Sequence, residues 1–367
     1  MKRIFMLIVL GIGCASAHFA AGQPALSSTA CECSKVLEEA IDKTTRIYAG
    51  FDDKVSDKTK PEYEALVKTL RNKALAASDE STCKILLRSY VSFFKDSHVF
   101  IWLESERQQY IDSLERIGTK ATNPVEFKQL NKDFLYAKLE VFNQTEVDKI
   151  DSLFAANRAL LAKTPYLIFD LRGNGGGNAS TSDEMAKLIY TNPIIYPSWD
   201  YRSSPEYIST NEKYLKGQKD TTAEWYLRSK KLLELLKNNP GKLMSSGEDH
   251  KREYETLPQG YPQQVAFLID KGCGSATEFY IFEGKQSKKV TIFGTNSHGV
   301  MDYGSDQTFK LCDGSIRLAL PWGRNGWVRD FRIDNVGFKP DVRIPDTEKD
   351  WVGFVQKYYK KQAKTKK

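Results

Sequence analysis

Apart from one short run at its start, this chain of 367 residues has no apolar stretch approaching the length of a membrane span. It also lacks the charge balance of a nucleic-acid binder. The formal charge is +7. Lys2 and Arg3 supply two of these charges, and six lysines between 355 and 367, with no acid among them, supply six more; the rest of the chain carries −1. A basic groove that tracks a phosphate backbone is therefore excluded. Histidine is scarce. His98, His250 and His298 are scattered, and neither they nor the cysteines show the ligand spacing of a zinc site. No segment recurs with the period of a repeat array. Hydrophobic residues at 41% and charged residues at 28% exclude wholesale disorder.

The one apolar run, Ile4 to Gly13, follows Lys2 and Arg3 and precedes small residues at 15–17 and 20–22. This is the pattern of a secretory signal peptide over residues 1–22, with cleavage expected near Gln23. Gly11, three positions before Cys14, stands where a lipobox wants leucine, so a lipid anchor is not expected. The mature chain is expected to be periplasmic or extracellular. Five cysteines remain after the leader: Cys31, Cys33, Cys83, Cys273 and Cys312. Export permits disulfides, and the odd count leaves at least one thiol unpaired within the chain. Cys31 or Cys33 could reach Cys83 to staple the N-terminal helices, and Cys273 could reach Cys312.

Residues 23–98 read as a small domain of about three helices, with apolar residues at three- and four-residue intervals and a cap at Ser81. Val99 to Trp102 reads as a strand, and the polar stretch that follows reads as helical. The region 99–347 then alternates strands (133–142, PYLIFD, VAFLID, KVTIFG, DQTFKL, GSIRLAL) with helices (TEVDKIDSLFAANRALLAK, TSDEMAKLIY). A charged, largely helical insertion occupies about 200–258. Residues 348–367 read as a basic, solvated tail. Strand–turn–helix units at 165–189 and 263–285, each strand ending in aspartate (Asp170, Asp270), predict a layered α/β core.

Two turns carry the chemistry. In VAFLIDKGCGSATEFY, 265–280, Ser275 opens a helix directly after a buried strand. Ser275 with Glu278 fits a capping box. The same place suits a nucleophile, because helix-start amides beside it can stabilise an oxyanion. The elbow signature GxSxG is absent, since Thr277 replaces its second glycine. In DLRGNGGGN, 170–178, four glycines in five positions leave backbone amides free to approach a ligand or an anion. A dinucleotide fingerprint would need glycine at 178, where Asn178 stands, and a phosphate loop would need Lys then Ser or Thr after the last glycine. A plain tight turn is the alternative.

DLRGNGGG, then GSATE about a hundred residues on, then IFGTNSHG and the closing segment IDNVGFKPDV (333–342), resemble the tail-specific protease family of serine peptidases, which includes the C-terminal processing peptidases and the tricorn core protease. The resemblance spans roughly 85–345. It implies a ClpP/crotonase-like core of strand–turn–helix units preceded by the small helical domain. Processing peptidases place a catalytic lysine about 25 residues after the serine; Val300 occupies that slot, and no lysine lies beside it. There is also too little sequence between His98 and Phe134 for their PDZ domain. The tricorn-like branch takes its base from a histidine in a short turn before a strand, and KDSHV offers His98 preceded by Ser97.

The expected roles follow from that resemblance. Ser275 is the nucleophile and His98 its base. Asp334, directly or through Ser97, orients the imidazole. The amides of Ala276 and of Gly176 or neighbouring Gly175 receive the oxyanion. His298, near the empty lysine slot, is the rival base. Arg172 and Asp341 are expected to hold loops, and Asp96 to form a turn. The resemblance implies hydrolysis of a polypeptide without metal, nucleotide or other cofactor. A catalytically silent binding protein on the same fold, or an esterase with the same triad, are the alternatives.

Overall fold

The computed structural model describes residues 31–107, 125–177 and 182–365; the leader and its cleavage site lie outside the described residues. The chain forms two compact units.

Among the described residues the first unit is built from three separated stretches: 31–107, 200–246 and 305–324. Helix Cys33–Ile47 buries Val36, Leu37, Ala40, Thr44 and Ile47, one face at three- and four-residue spacing. Helices Lys60–Ala74 and Glu80–Ser92 follow. The cap of the last is Asp79, not Ser81: its carboxylate accepts from the Thr82 amide at 2.8 Å. Cys33 is bonded to Cys83, which staples the first and last of these helices, and Cys31 is bonded to Cys312. Cys273 is a buried free thiol. The pair Cys273–Cys312 expected from sequence is therefore not made; Cys312 has the nearer partner in Cys31, with 6.0 Å between their Cα atoms.

A five-stranded sheet completes this unit, in the order Phe100–Leu103, Ile316–Asn325, Trp199–Arg202, Leu243–Ser245, with Tyr303–Leu311 also paired to Ile316–Asn325. The expected insertion at 200–258 is thus not a helical block. Helices Pro205–Lys216 and Glu224–Lys237 are flanked by two antiparallel strands, Asp200 opposite Ser245. From 247 the chain belongs to the other unit, where His250–Arg252 pairs with Ile194–Tyr196.

The second unit holds a six-stranded sheet in the order Val342–Arg343, Val290–Gly294, Gln264–Ile269, Tyr166–Asp170, Phe134–Leu139, Val125–Asn131. Every pairing is parallel except the last. The four longer parallel strands are nearly continuous apolar runs because both faces are covered. Successive residues alternate between two cores. Leu167, Phe169, Val265 and Phe267 face one core with Leu135 and Ile292, while Ile168, Ala266 and Leu268 face the other with Phe134 and Phe293.

Two expectations fail here. Val125–Asn131, placed in a polar helical stretch, is the edge strand: Val125 and Phe127 alternate with charge and pack on the first core. The basic tail is not wholly solvated either. Trp351–Thr365 is a helix whose Val355 and Tyr359 are buried in the second core, with the lysines on its outer side.

Candidate active site

Open parallel sheets bind ligands beyond the carboxyl ends of their strands. In the second unit those ends are Asp170, Ile269 and Gly294. Three loops leave from them: the glycine loop 171–177, the turn into Ser275, and 295–301.

Acidic side chains brace these segments, and of them Asp170 is fully buried. The Asp170 carboxylate accepts from Arg172 Nη2 at 2.6 Å and Nε at 2.8 Å and from the Tyr136 hydroxyl at 2.9 Å. The Arg172 guanidinium lies over the Trp351 ring. Asp270 accepts from the amides of Gly173 and Gly272, each at 2.9 Å, and so joins the first two loops. Asp341 accepts from the Ile292 amide at 2.8 Å. Arg172 and Asp341 therefore hold loops, as the sequence suggested.

Ser275 stands at the N-terminus of helix Ala276–Lys285 with φ 52° and ψ −122°. A side chain in that region of backbone space is strained by about 1–3 kcal/mol, and such strain collects at functional sites. No capping box forms. The Ser275 hydroxyl caps no helix amide and has no hydrogen-bond partner among the described residues. Glu278 points elsewhere. It is fully buried, and its Oε1 accepts from Ser297 Oγ (2.5 Å) and the Gly299 amide (2.7 Å), while Oε2 accepts from the amides of Val300 (2.9 Å) and Met301 (3.1 Å). Burial pushes the Glu278 carboxyl pKa up, and the four donors pull it back. The spacing that spells a capping box thus anchors the third loop instead.

The glycine loop presses on the Ser275 turn. A Cβ on Gly176 (φ +98°) would meet the Ser275 Cβ and the Ala276 nitrogen, each at 2.7 Å, so this approach requires glycine. Asn174 locks the contact. Its Oδ1 accepts from the Gly176 amide at 3.0 Å and from Thr277 Oγ1 at 2.8 Å, and its carbonyl accepts from the Gly274 amide at 3.0 Å. The Gly176 N–H is therefore engaged. The amides of Gly175, which is exposed, and of Ala276 donate to nothing among the described residues.

His298 donates its amide to the Cys273 carbonyl at 2.7 Å. A Cβ on Gly274 would lie 3.4 Å from both Cβ and Nδ1 of His298, so the ring packs on the residue before Ser275. Asp334 belongs to the same unit. Its amide donates to Asp302 Oδ2 at 3.0 Å, and Asp302 is itself buried and takes the Trp327 indole N–H at 2.7 Å.

Ser97 and His98 belong to the first unit. His98 is bracketed by acids. Its Nδ1 is 3.7 Å from Asp96 Oδ1, and its Nε2 is 3.9 Å from Asp306 Oδ2. Asp96 forms the expected turn, accepting from the His98 amide at 2.9 Å, and is braced by the Tyr48 hydroxyl at 2.7 Å. Burial pushes the Asp306 carboxyl up to about 6, with His98 pulling it back. The buried Nδ1 of His98 has no hydrogen-bond partner among the described residues.

The sequence pattern of peptidase family S41 matches residues 133–344, more than half of the chain. The chain belongs to peptidase family S41. It is a serine peptidase, a hydrolase that acts on polypeptides. The fold of this S41 peptidase is similar to that of mature CPAF (TM-score 0.61, 11% identity, 89% of this chain and 96% of that one). It is also similar to that of a lipoprotein from Streptococcus agalactiae (TM-score 0.52, 16% identity, 94% and 100%). No curated protein matches it. Among the described residues no helix of the peptidase is long and apolar enough to cross a membrane.

Within the second unit the fold brings Ser275, Ala276, Gly175 and Gly176 together, with His298 alongside. Sequence reasoning missed Asn174, although it stands inside the glycine loop. It also missed Asp306, whose position on an alternating strand gives no signal.

Proposed function

We propose that this S41 peptidase is an exported endopeptidase with Ser275 as nucleophile and His98 as base. The observation that carries the reading is the turn at Ser275: a strained backbone that presents an unpartnered hydroxyl beside two unpartnered amides. Ser275 Oγ attacks the substrate carbonyl carbon while His98 takes its proton. The Gly175 and Ala276 amides receive the oxyanion; of the two glycines, Gly175 is favoured because the Gly176 N–H already serves Asn174. The intermediate collapses, the amine leaves with the proton from His98, and water delivered by the same imidazole hydrolyses the acyl-enzyme. In this proposal Asp334, directly or through Ser97, is the acid that orients the imidazole. A histidine base in place of lysine is the arrangement in which this reading resembles the tricorn-like branch. Export is supported by the leader pattern and by two disulfides, which persist in oxidising compartments.

The test is cleavage of an unfolded protein and a mixed peptide library by the chain from Gln23 onward. Ser275→Ala and His98→Ala are each expected to lower kcat by about 10³-fold or more with melting temperature retained. Full turnover in Ser275→Ala would refute the assignment. A folded but inactive wild-type chain would point to a silent binder.

A further inference from the structure

The loop 295–301 is held with more apparatus than a connection needs. Glu278 binds it through four donors from beneath, and the His298 amide is fixed to the Cys273 carbonyl. On its far side the Gly299 carbonyl accepts from the Asn335 amide at 2.8 Å, and a Cβ on Gly299 would lie 2.2 Å from the Ile333 carbonyl oxygen. Three backbone segments therefore lie side by side: the turn ending at Gly274, then His298–Gly299, then Asn335–Val336. Their outward side chains, His298, Asn335 and Val336, are all exposed.

The imidazole of His298 is the first side chain along this ledge from Ser275. It packs on Gly274, and it makes no hydrogen bond or ion pair among the described residues. A general base needs a partner that fixes its tautomer. Neither ring makes a hydrogen bond among the described residues, but His98 has an acid 3.7 Å from Nδ1 and another 3.9 Å from Nε2, whereas His298 has no acid within ion-pair range among them. What His298 does have is a fixed position, exposure and, in either tautomer, one N–H donor.

We propose that His298 is a substrate-binding residue that donates a hydrogen bond to a backbone carbonyl of the polypeptide lying along this ledge, next to the scissile bond. The proposal rests on Ser275 as the nucleophile. Its test separates the two. Binding of a fluorescent peptide substrate is measured by anisotropy in the Ser275→Ala background, so that turnover is not required. Adding His298→Ala is expected to raise Kd roughly 3–10-fold, the loss of one neutral hydrogen bond. His298→Gln, which keeps a donor, restores most of it, and His298→Phe does not. In the active chain His298→Ala raises KM by the same factor and changes kcat less than twofold.

An unchanged Kd would overturn the proposal. So would a kcat loss of about 100-fold at constant KM, which would make His298 a proton-transfer group. A fall in melting temperature that accounts for the loss of binding would make it structural. Turnover by Ser275→Ala would instead sink the nucleophile assignment while leaving the Kd comparison valid.

Discussion

Replacing Glu278 with glutamine keeps its size and removes one acceptor oxygen. The native carboxylate meets two donors at each oxygen. In the better of the two amide orientations, the glutamine oxygen faces the Val300 and Met301 amides and its NH₂ faces Ser297 and Gly299. The Ser297 hydroxyl can turn to accept, since it already accepts from the Phe338 amide at 2.8 Å and has a second lone pair. The Gly299 amide cannot. A buried N–H without an acceptor costs about 1–3 kcal/mol, and loss of a charge-assisted bond adds to this. Relief of the desolvation that raises the native pKa returns part. The expected net cost is about 2 kcal/mol, with alanine at least twice as damaging because all four donors are abandoned. Urea unfolding at pH 7 measures both. A Glu278→Gln chain as stable as wild type would refute the hydrogen-bond reasoning, and a glutamine worse than alanine would refute the ordering.

The strain at Ser275 predicts that Ser275→Gly is about 1 kcal/mol more stable than Ser275→Ala, although the proposed role of Ser275 makes both inactive; equal urea midpoints would contradict a positive-φ penalty at this position. Lys289 is buried, and desolvation lowers its pKa from 10.5 to about 8. Because the folded pKa is depressed, the stability of the native chain falls as pH drops from about 10.5 through 8. At pH 7 the penalty is about 3 kcal/mol. Lys289→Met should therefore melt higher at pH 7 and lose that advantage near pH 10.5. An equal advantage at both pH values would rule out the charge as its source.

The parallel core was legible because both faces of its strands are covered: LIFD and VAFLID are apolar without a break, and each ends in an acid that a loop amide or Arg172 then uses. The N-terminal helices were legible from their apolar spacing. The C-terminal helix was hidden by composition, since its lysines dominate the count while Trp351, Val355 and Tyr359 mark its buried stripe at four-residue spacing. Glu278 shows a different limit. Ser-x-x-Glu reads the same whether the glutamate turns back to its own helix or reaches a loop about twenty residues away, because the motif specifies spacing and not direction. Asp306 and Cys312 gave no local signal either; their partners lie more than 200 residues off.

The bond between Cys31 and Cys312 spans 281 residues. At about 5–20 residues per second, roughly 15–55 s of synthesis separate the two cysteines. The helices that begin at Cys33 emerge first, with Cys33 and Cys83 able to pair early, yet the strands that complete their sheet come last. Through that interval Cys31 is a thiol two residues from Cys33, with the wrong partner close and the right one not yet made. Production of this molecule therefore depends on timing as well as on affinity. A host that oxidises thiols quickly and reshuffles them slowly should accumulate isomers joined at the wrong cysteine, and a disulfide isomerase should raise the yield without changing the finished fold.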